Sequence, residues 1–299
     1  MLVLLVAAVC VAAVGTLVWY RARPVSMGSV IRALPAKDSV MVFIDFAALR
    51  RSGMMERIFG TRTVEDDDYR RFVQDTGFNF RDDLEYAAAT IGPIGKYAVL
   101  RGSFDWTKLR AYVSRQRGEC ILATCQMAGS APDRRISFRP LQNNLMAFAV
   151  SKDEDAVKRI QLGPSRPALE LPAAPVWMQI PGSVLKGGNS LPTGTQMFAH
   201  SMERANAVYL MLGTEDNRIA AQLDVDSHSG EEAATVVSQL AQATERLRQM
   251  IELEHQKPNP ADLSGVLASG SFRAEGSHAR GRWIIEDVFL DNVFSGAAH

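Results

Sequence analysis

The stretch Tyr86–Arg101, YAAATIGPIGKYAVLR, decides how this chain folds. Two β-prone runs, Tyr86 to Ile91 and Lys96 to Arg101, flank Gly92-Pro93-Ile94-Gly95, a turn sequence that reverses the chain. Hairpin-joined strands pair antiparallel, so helices elsewhere are expected to pack on the sheet rather than cross between parallel strands. Outward from this hairpin the pattern alternates. Upstream, Val40 to Ile44 reads as a buried strand. Phe46 to Phe59 has helical spacing through Leu49, Met54 and Ile58, and Asp66 to Thr76 reads as a helix ended by Gly77. Downstream, Asp105 caps a helix to Arg117 with Trp106, Leu109, Tyr112 and Val113 on one face. Strands follow near Cys120 to Met127, Ile136 to Leu141 and Leu145 to Val150, and Lys152 to Ile160 closes the unit as a helix.

Pro164, Pro167, Pro172 and Pro175 then punctuate the chain too densely for a helix or a central strand. Beyond them the outline repeats. Val176 to Ile180, Ala207 to Leu212 and Arg218 to Val225 read as strands. Ser229 and Glu232 form a capping box that opens the longest helix. Its buried stripe is expected at Ala233, Val236, Val237, Leu240, Leu247, Met250 and Ile251, and Lys257-Pro258-Asn259-Pro260 stops it. Val266 to Arg273 and Arg280 to Ile285 are the last strands. The expected fold class is α+β: two related units of mostly antiparallel sheet packed with helices, ferredoxin-like-derived, behind an N-terminal transmembrane helix. The divisions are 1–20 anchor, 21–35 juxtamembrane linker, 36–163 first unit, 164–175 Pro-rich linker and 176–299 second unit.

The anchor rests on residues 2–20, which carry no charged side chain and are long enough to span a hydrocarbon core as a helix. Trp19 and Tyr20 suit the interface, Arg21 and Arg23 follow, and no small-residue cleavage site succeeds them. The two arginines favour a cytoplasmic body. Large domains translocate despite so weak a bias, and the expected location is a single-pass inner-membrane protein with its large domain periplasmic. The 33 basic and 33 acidic residues cancel, so nothing draws the chain to nucleic acid.

Three segments carry a resemblance. Leu34-Pro35-Ala36-Lys37-Asp38 precedes a strand ending Asp45-Phe46-Ala47-Ala48-Leu49. Gly102-Ser103-Phe104-Asp105-Trp106 precedes Lys108-Leu109-Arg110-Ala111-Tyr112. His255 to Gly265 reads HQKPNPADLSG. Together they resemble a family of membrane-anchored bacterial proteins with a duplicated α+β ectodomain, a domain of unknown function. The resemblance implies architecture and location and assigns no residue a role.

The chemical motifs are sparse. Ser183 and Lys186 fit the Ser-x-x-Lys spacing in which a lysine amine activates a serine one turn away. No Ser-Asp-Asn or Lys-Thr-Gly partner follows, and a capped short turn accounts for the pair. The five histidines form no metal-binding pair. Asp224, Asp226 and His228 imitate the start of a calcium loop that lacks its glycine and its closing glutamate. Glu65 to Asp68 suits a helix N-terminus. No phosphate-binding or dinucleotide fingerprint occurs, so no cofactor and no metal is expected. Cys120 and Cys125 lie too far apart on one extended strand for a bond. A hairpin turning at Leu122-Ala123 would bring them together, although Leu-Ala is poor turn chemistry. The leading function is a non-catalytic envelope-binding protein whose partner is an envelope protein or polymer. The rivals are a hydrolase or acyl transferase using Ser183 and Lys186, and a small-molecule or lipid carrier with a cavity between the units.

Overall fold

The Gly92–Gly95 turn joins two strands near the middle of one sheet. The computed structural model describes residues 25–59, 67–129, 131, 133–163, 169–186, 198–216 and 218–294. The elements, in chain order, are helix α1 (Met27–Ala33), strand β1 (Val40–Asp45), helices α2 (Phe46–Arg51), α3 (Met54–Phe59), α4 (Asp67–Thr76) and α5 (Phe80–Asp83), and strands β2 (Leu84–Gly92) and β3 (Gly95–Gly102). Helix α6 (Trp106–Arg115) precedes β4 (Glu119–Ile121), β5 (Thr124–Ala128), β6 (Arg135–Gln142) and β7 (Leu145–Ser151). The remaining elements are β8 (Val176–Pro181), α7 (Gly182–Leu185), β9 (Ala207–Glu215), β10 (Arg218–Asp226), α8 (Gly230–Leu253), α9 (Leu263–Ala268), β11 (Ser271–Glu275), β12 (His278–Ile285) and α10 (Asp287–Phe294).

Among the described residues all twelve strands join one antiparallel sheet in the order β11-β12-β10-β9-β8-β1-β2-β3-β7-β6-β5-β4. The halves meet where β1 pairs with β8 from Met41↔Gln179 to Ile44↔Val176. Residues 40–44 are apolar on both faces, which suits the centre of a covered sheet, and β8 departs from that at Gln179, whose amide donates to the Tyr209 hydroxyl.

Side-chain alternation sorts the core into two faces. One face presents Met41, Phe43, Tyr86, Tyr97, Val99, Ala147 and Trp177, and Val30, Ile31 and Leu34 of the α1 segment bury against it together with Val157 and Ile160. Phe43 stacks on Trp177 at 5.4 Å between ring centroids. The opposite face is covered by the longer helices. Leu109 and Val113 of α6 pack there on Phe138 and Met146. Ala233, Val236 and Leu240 of α8 pack on Leu223, Val225 and Trp283.

Several expectations shift. The helix expected over Phe46–Phe59 breaks into α2 and α3 at Gly53, whose φ is +69°. Part of the 21–35 stretch expected to be a linker is helix α1, whose Val30, Ile31 and Ala33 are core residues. The helix expected over Lys152–Ile160 is reduced to a 3-10 turn at Ala156–Arg159. There the Asp153 carboxylate accepts the Asp155 N–H and holds a turn instead. The strand expected from Val266 begins at Ser271, because Val266 lies in helix α9. Gly265 of that helix lies against the backbone of Asn259, where a Cβ would stand 1.8 Å from the carbonyl oxygen, so no side chain fits. On α8 the stripe runs through Ala243 and Thr244, and Met250 is exposed. The capping box is half as expected: Ser229 Oγ accepts the Glu232 N–H, but the Glu232 carboxylate takes the His228 N–H, one residue further back. The anchor expected over 1–20 lies outside the described residues, among which no helix is long and apolar enough to cross a membrane.

Candidate functional site

Two features could hold a ligand or partner. The first is on the sheet face that α1 covers in the first half. Over β9, β10, β12 and β11 that face turns polar, because the outward positions are Gln222, Asp224, His278, Arg280, Arg282 and Glu215. A trough of about 520 Å3 runs across these strands. Its charges pair across the sheet. Arg282 Nε donates to Glu215 at 2.7 Å, Arg280 reaches Glu275 at 2.5 Å, and His278 Nδ1 lies 2.7 Å from Asp224. Arg273 shares Glu275 at 2.5 Å. Three arginines therefore face three carboxylates, and the surface is locally neutral. Gln222 and Arg280 stand exposed within it.

The second feature is a cavity of about 140 Å3 between α4, α6 and the opposite sheet face of the first half. Phe72 and Tyr112 roof it, Phe138 and Phe148 floor it, and Met127 and Met146 close its sides. No polar atom lines it. Phe72 meets Tyr112 at 5.1 Å and Phe78 at 6.1 Å edge to face, and Phe78 stacks on Phe104 at 5.5 Å. Local sequence explains why the space is not filled. Half of helix α4 is charged, so few of its side chains can enter the core. Its Asp67 and Asp68 pair with Arg70 and Arg71 on its own solvent face. Helix α6 is set by Asp105, whose carboxylate accepts the Thr107 and Lys108 N–H groups. Burial pushes the Tyr112 phenol above its ordinary range, and Asp75 and Asp68 add to the rise.

The residues singled out in the sequence are scattered. Ser183 sits in the single turn α7 and Lys186 is its C-cap residue; both are exposed, so neither is desolvated for nucleophilic chemistry. Asp224 lies within β10, not in a loop, and its carboxylate is taken by His278. Asp67 and Asp68 are the first turn of α4, while residues 65 and 66 lie outside the described region. Among the described residues no group of three or more His, Cys, Asp or Glu is placed to hold a metal. Cys120 and Cys125 are directly opposed on β4 and β5, 4.0 Å apart at Cα, and their sulfurs are bonded. The turn is at Leu122-Ala123. Its poor chemistry shows as a φ of +55° at Leu122, where a glycine would be at ease.

Both features escaped the sequence reading. The trough is assembled from residues as distant as Glu215 and Arg282, and the cavity from two helices, four strands and the loops beside them. One signal for the cavity was present: Phe72, Phe78 and Phe104, three of its lining rings, fall close together in the chain.

No protein-family model matches the chain, and no curated protein matches it by sequence. Among solved structures it is similar to TP0453. Crystal form I is 13% identical with a TM-score of 0.47, over 93% of this chain and 100% of that chain. Crystal form III gives 12% and 0.45, over 91% and 99%, and crystal form IV 11% and 0.44, over 89% and 96%. Likeness at this level carries no information about ligand or partner.

Proposed function

We propose that this chain is a non-catalytic, membrane-anchored binding protein of the cell envelope that engages a protein partner through the polar face of its second half. The observation that carries the reading is the contrast between the two halves of one sheet face. Apolar side chains lie under α1 in the first half; paired arginines and carboxylates line an open trough in the second. A locally neutral surface offering both donors and acceptors suits another protein better than a polyanion, which would meet as many carboxylates as arginines. The bonded Cys120–Cys125 pair supports an oxidising compartment. The anchor at residues 2–20 and the resemblance to the membrane-anchored family belong to the same reading. So does a duplicated architecture: in each half the last strand lies beside the third, β7 on β3 and β12 on β10, and the halves meet through their first strands.

The test is a photo-crosslinking amino acid at Gln222, introduced into the full chain in intact cells, with Ser114 on exposed α6 as the control position. A discrete adduct from Gln222, absent from Ser114 and lost in Arg280→Glu, is expected. Equal labelling from both positions, or an adduct indifferent to Arg280→Glu, contradicts the reading.

A further inference from the structure

We infer that the cavity beneath α4 and α6 is a binding site for an uncharged apolar group about the size of a benzene ring. The inference is independent of the partner surface, which lies on the other sheet face. Three properties define the ligand. The volume, about 140 Å3, is that of a cavity that accepts a single six-membered ring. The lining offers no polar atom, so a charge or a hydrogen-bonding group carried inside would be stranded without a partner. The walls are ring-dense, with Phe72 and Tyr112 above and Phe138 and Phe148 below, and Met127 and Met146 supply adaptable thioethers against ring edges. Phe72, Tyr112 and Phe148 are only half-buried, so the site opens toward solvent at its rim, where the remainder of a larger ligand can stay hydrated.

Methyl-labelled methionine makes the test direct, because Met127 and Met146 line the site and Met211 and Met250 lie elsewhere. Benzene is titrated into the full chain held in nanodiscs, with benzoate as the charged counter-probe. The Met127 and Met146 methyl resonances are expected to shift saturably with benzene and not with benzoate, while Met211 and Met250 stay fixed. Leu109→Phe places a ring in the cavity and weakens benzene binding at least tenfold. Leu109→Ala enlarges the site and tightens naphthalene binding at least tenfold over the unmodified chain. The inference is overturned if Met127 and Met146 do not respond, if all four methyls move together, or if benzene binds Leu109→Phe unchanged. Should Leu109→Phe fail to fold, the naphthalene comparison decides, and no gain in Leu109→Ala overturns it.

Discussion

At the scale of single residues, Leu122 is the clearest conflict between a side chain and its backbone. It is 93% exposed, buries almost nothing, and holds a φ of +55° at the first position of a two-residue hairpin loop. Left-handed backbone costs an ordinary residue about 1–2 kcal/mol, and turns with positive φ at this position take glycine. Leu122→Gly is therefore expected to stabilise the oxidised protein by roughly 1 kcal/mol in denaturant titrations, after the added chain entropy of glycine is offset. A loss of stability would mean that the leucine makes contacts this account denies it. A second residue sets an alkaline limit. Burial raises the Tyr86 phenol above its ordinary 10.0, with Arg101 opposing part of the rise. A raised folded-state value favours the protonated form, so its contribution is complete below pH 10 and is lost as pH climbs through the folded value. Stability is expected to fall from about pH 10 upward, and less steeply in Tyr86→Phe.

At the scale of elements, the β4–β5 hairpin depends on its bond. Both strands are short and β4 is an outer edge of the sheet. Closing so small a loop removes about 2 kcal/mol of unfolded-state freedom. Reduction, or the Cys120→Ser/Cys125→Ser pair, is expected to lower stability by that amount without unfolding the rest, because Cys125 is one member of a larger cluster. Helix α1 makes a stronger claim. A linker would tolerate any substitution, whereas Val30 is fully buried beneath the sheet. Val30→Asp is expected to cost about 3 kcal/mol or more, since it strands a charge in an apolar core. A neutral result would return 27–33 to the status of a linker. The elements were unevenly legible in the sequence. Hairpins and caps were readable because their cause is local: Gly92-Pro93 and Gly95, Asp105 and Ser229 act on neighbours within four residues. Helix α1 was not. Nothing in VIRAL identifies the sheet face that buries it. Helix α9 was misread as strand because Val266, Leu267 and Ala268 suit either state, and the Gly265 contact with Asn259 that settles it is made across a turn.

At the scale of the whole molecule, the sheet runs through both halves without a break, a fact with no signature in either half alone. Val40–Ile44 and Val176–Ile180 each read as buried strands, but their pairing with one another is a long-range choice made by packing. The same holds for both candidate sites. The cavity and the trough are gaps and surfaces between elements, visible only after the register is set. Their independence has a consequence. Variants such as Leu109→Phe act behind α4 and α6 and are expected to leave crosslinking at Gln222 unaltered. Charge reversal at Arg280 is likewise expected to leave benzene binding unaltered.

The central claim, a body held on the oxidising side of a membrane, is tested most directly by protease accessibility. Intact cells are compared with cells whose outer envelope has been permeabilised, and thiols are counted by mass spectrometry on the same sample. The account predicts digestion of the body once the outer envelope is opened and the inner membrane left closed, with Cys120 and Cys125 bonded and Cys10 the remaining free thiol. Full protection with three free thiols would place the body in the cytoplasm and contradict it.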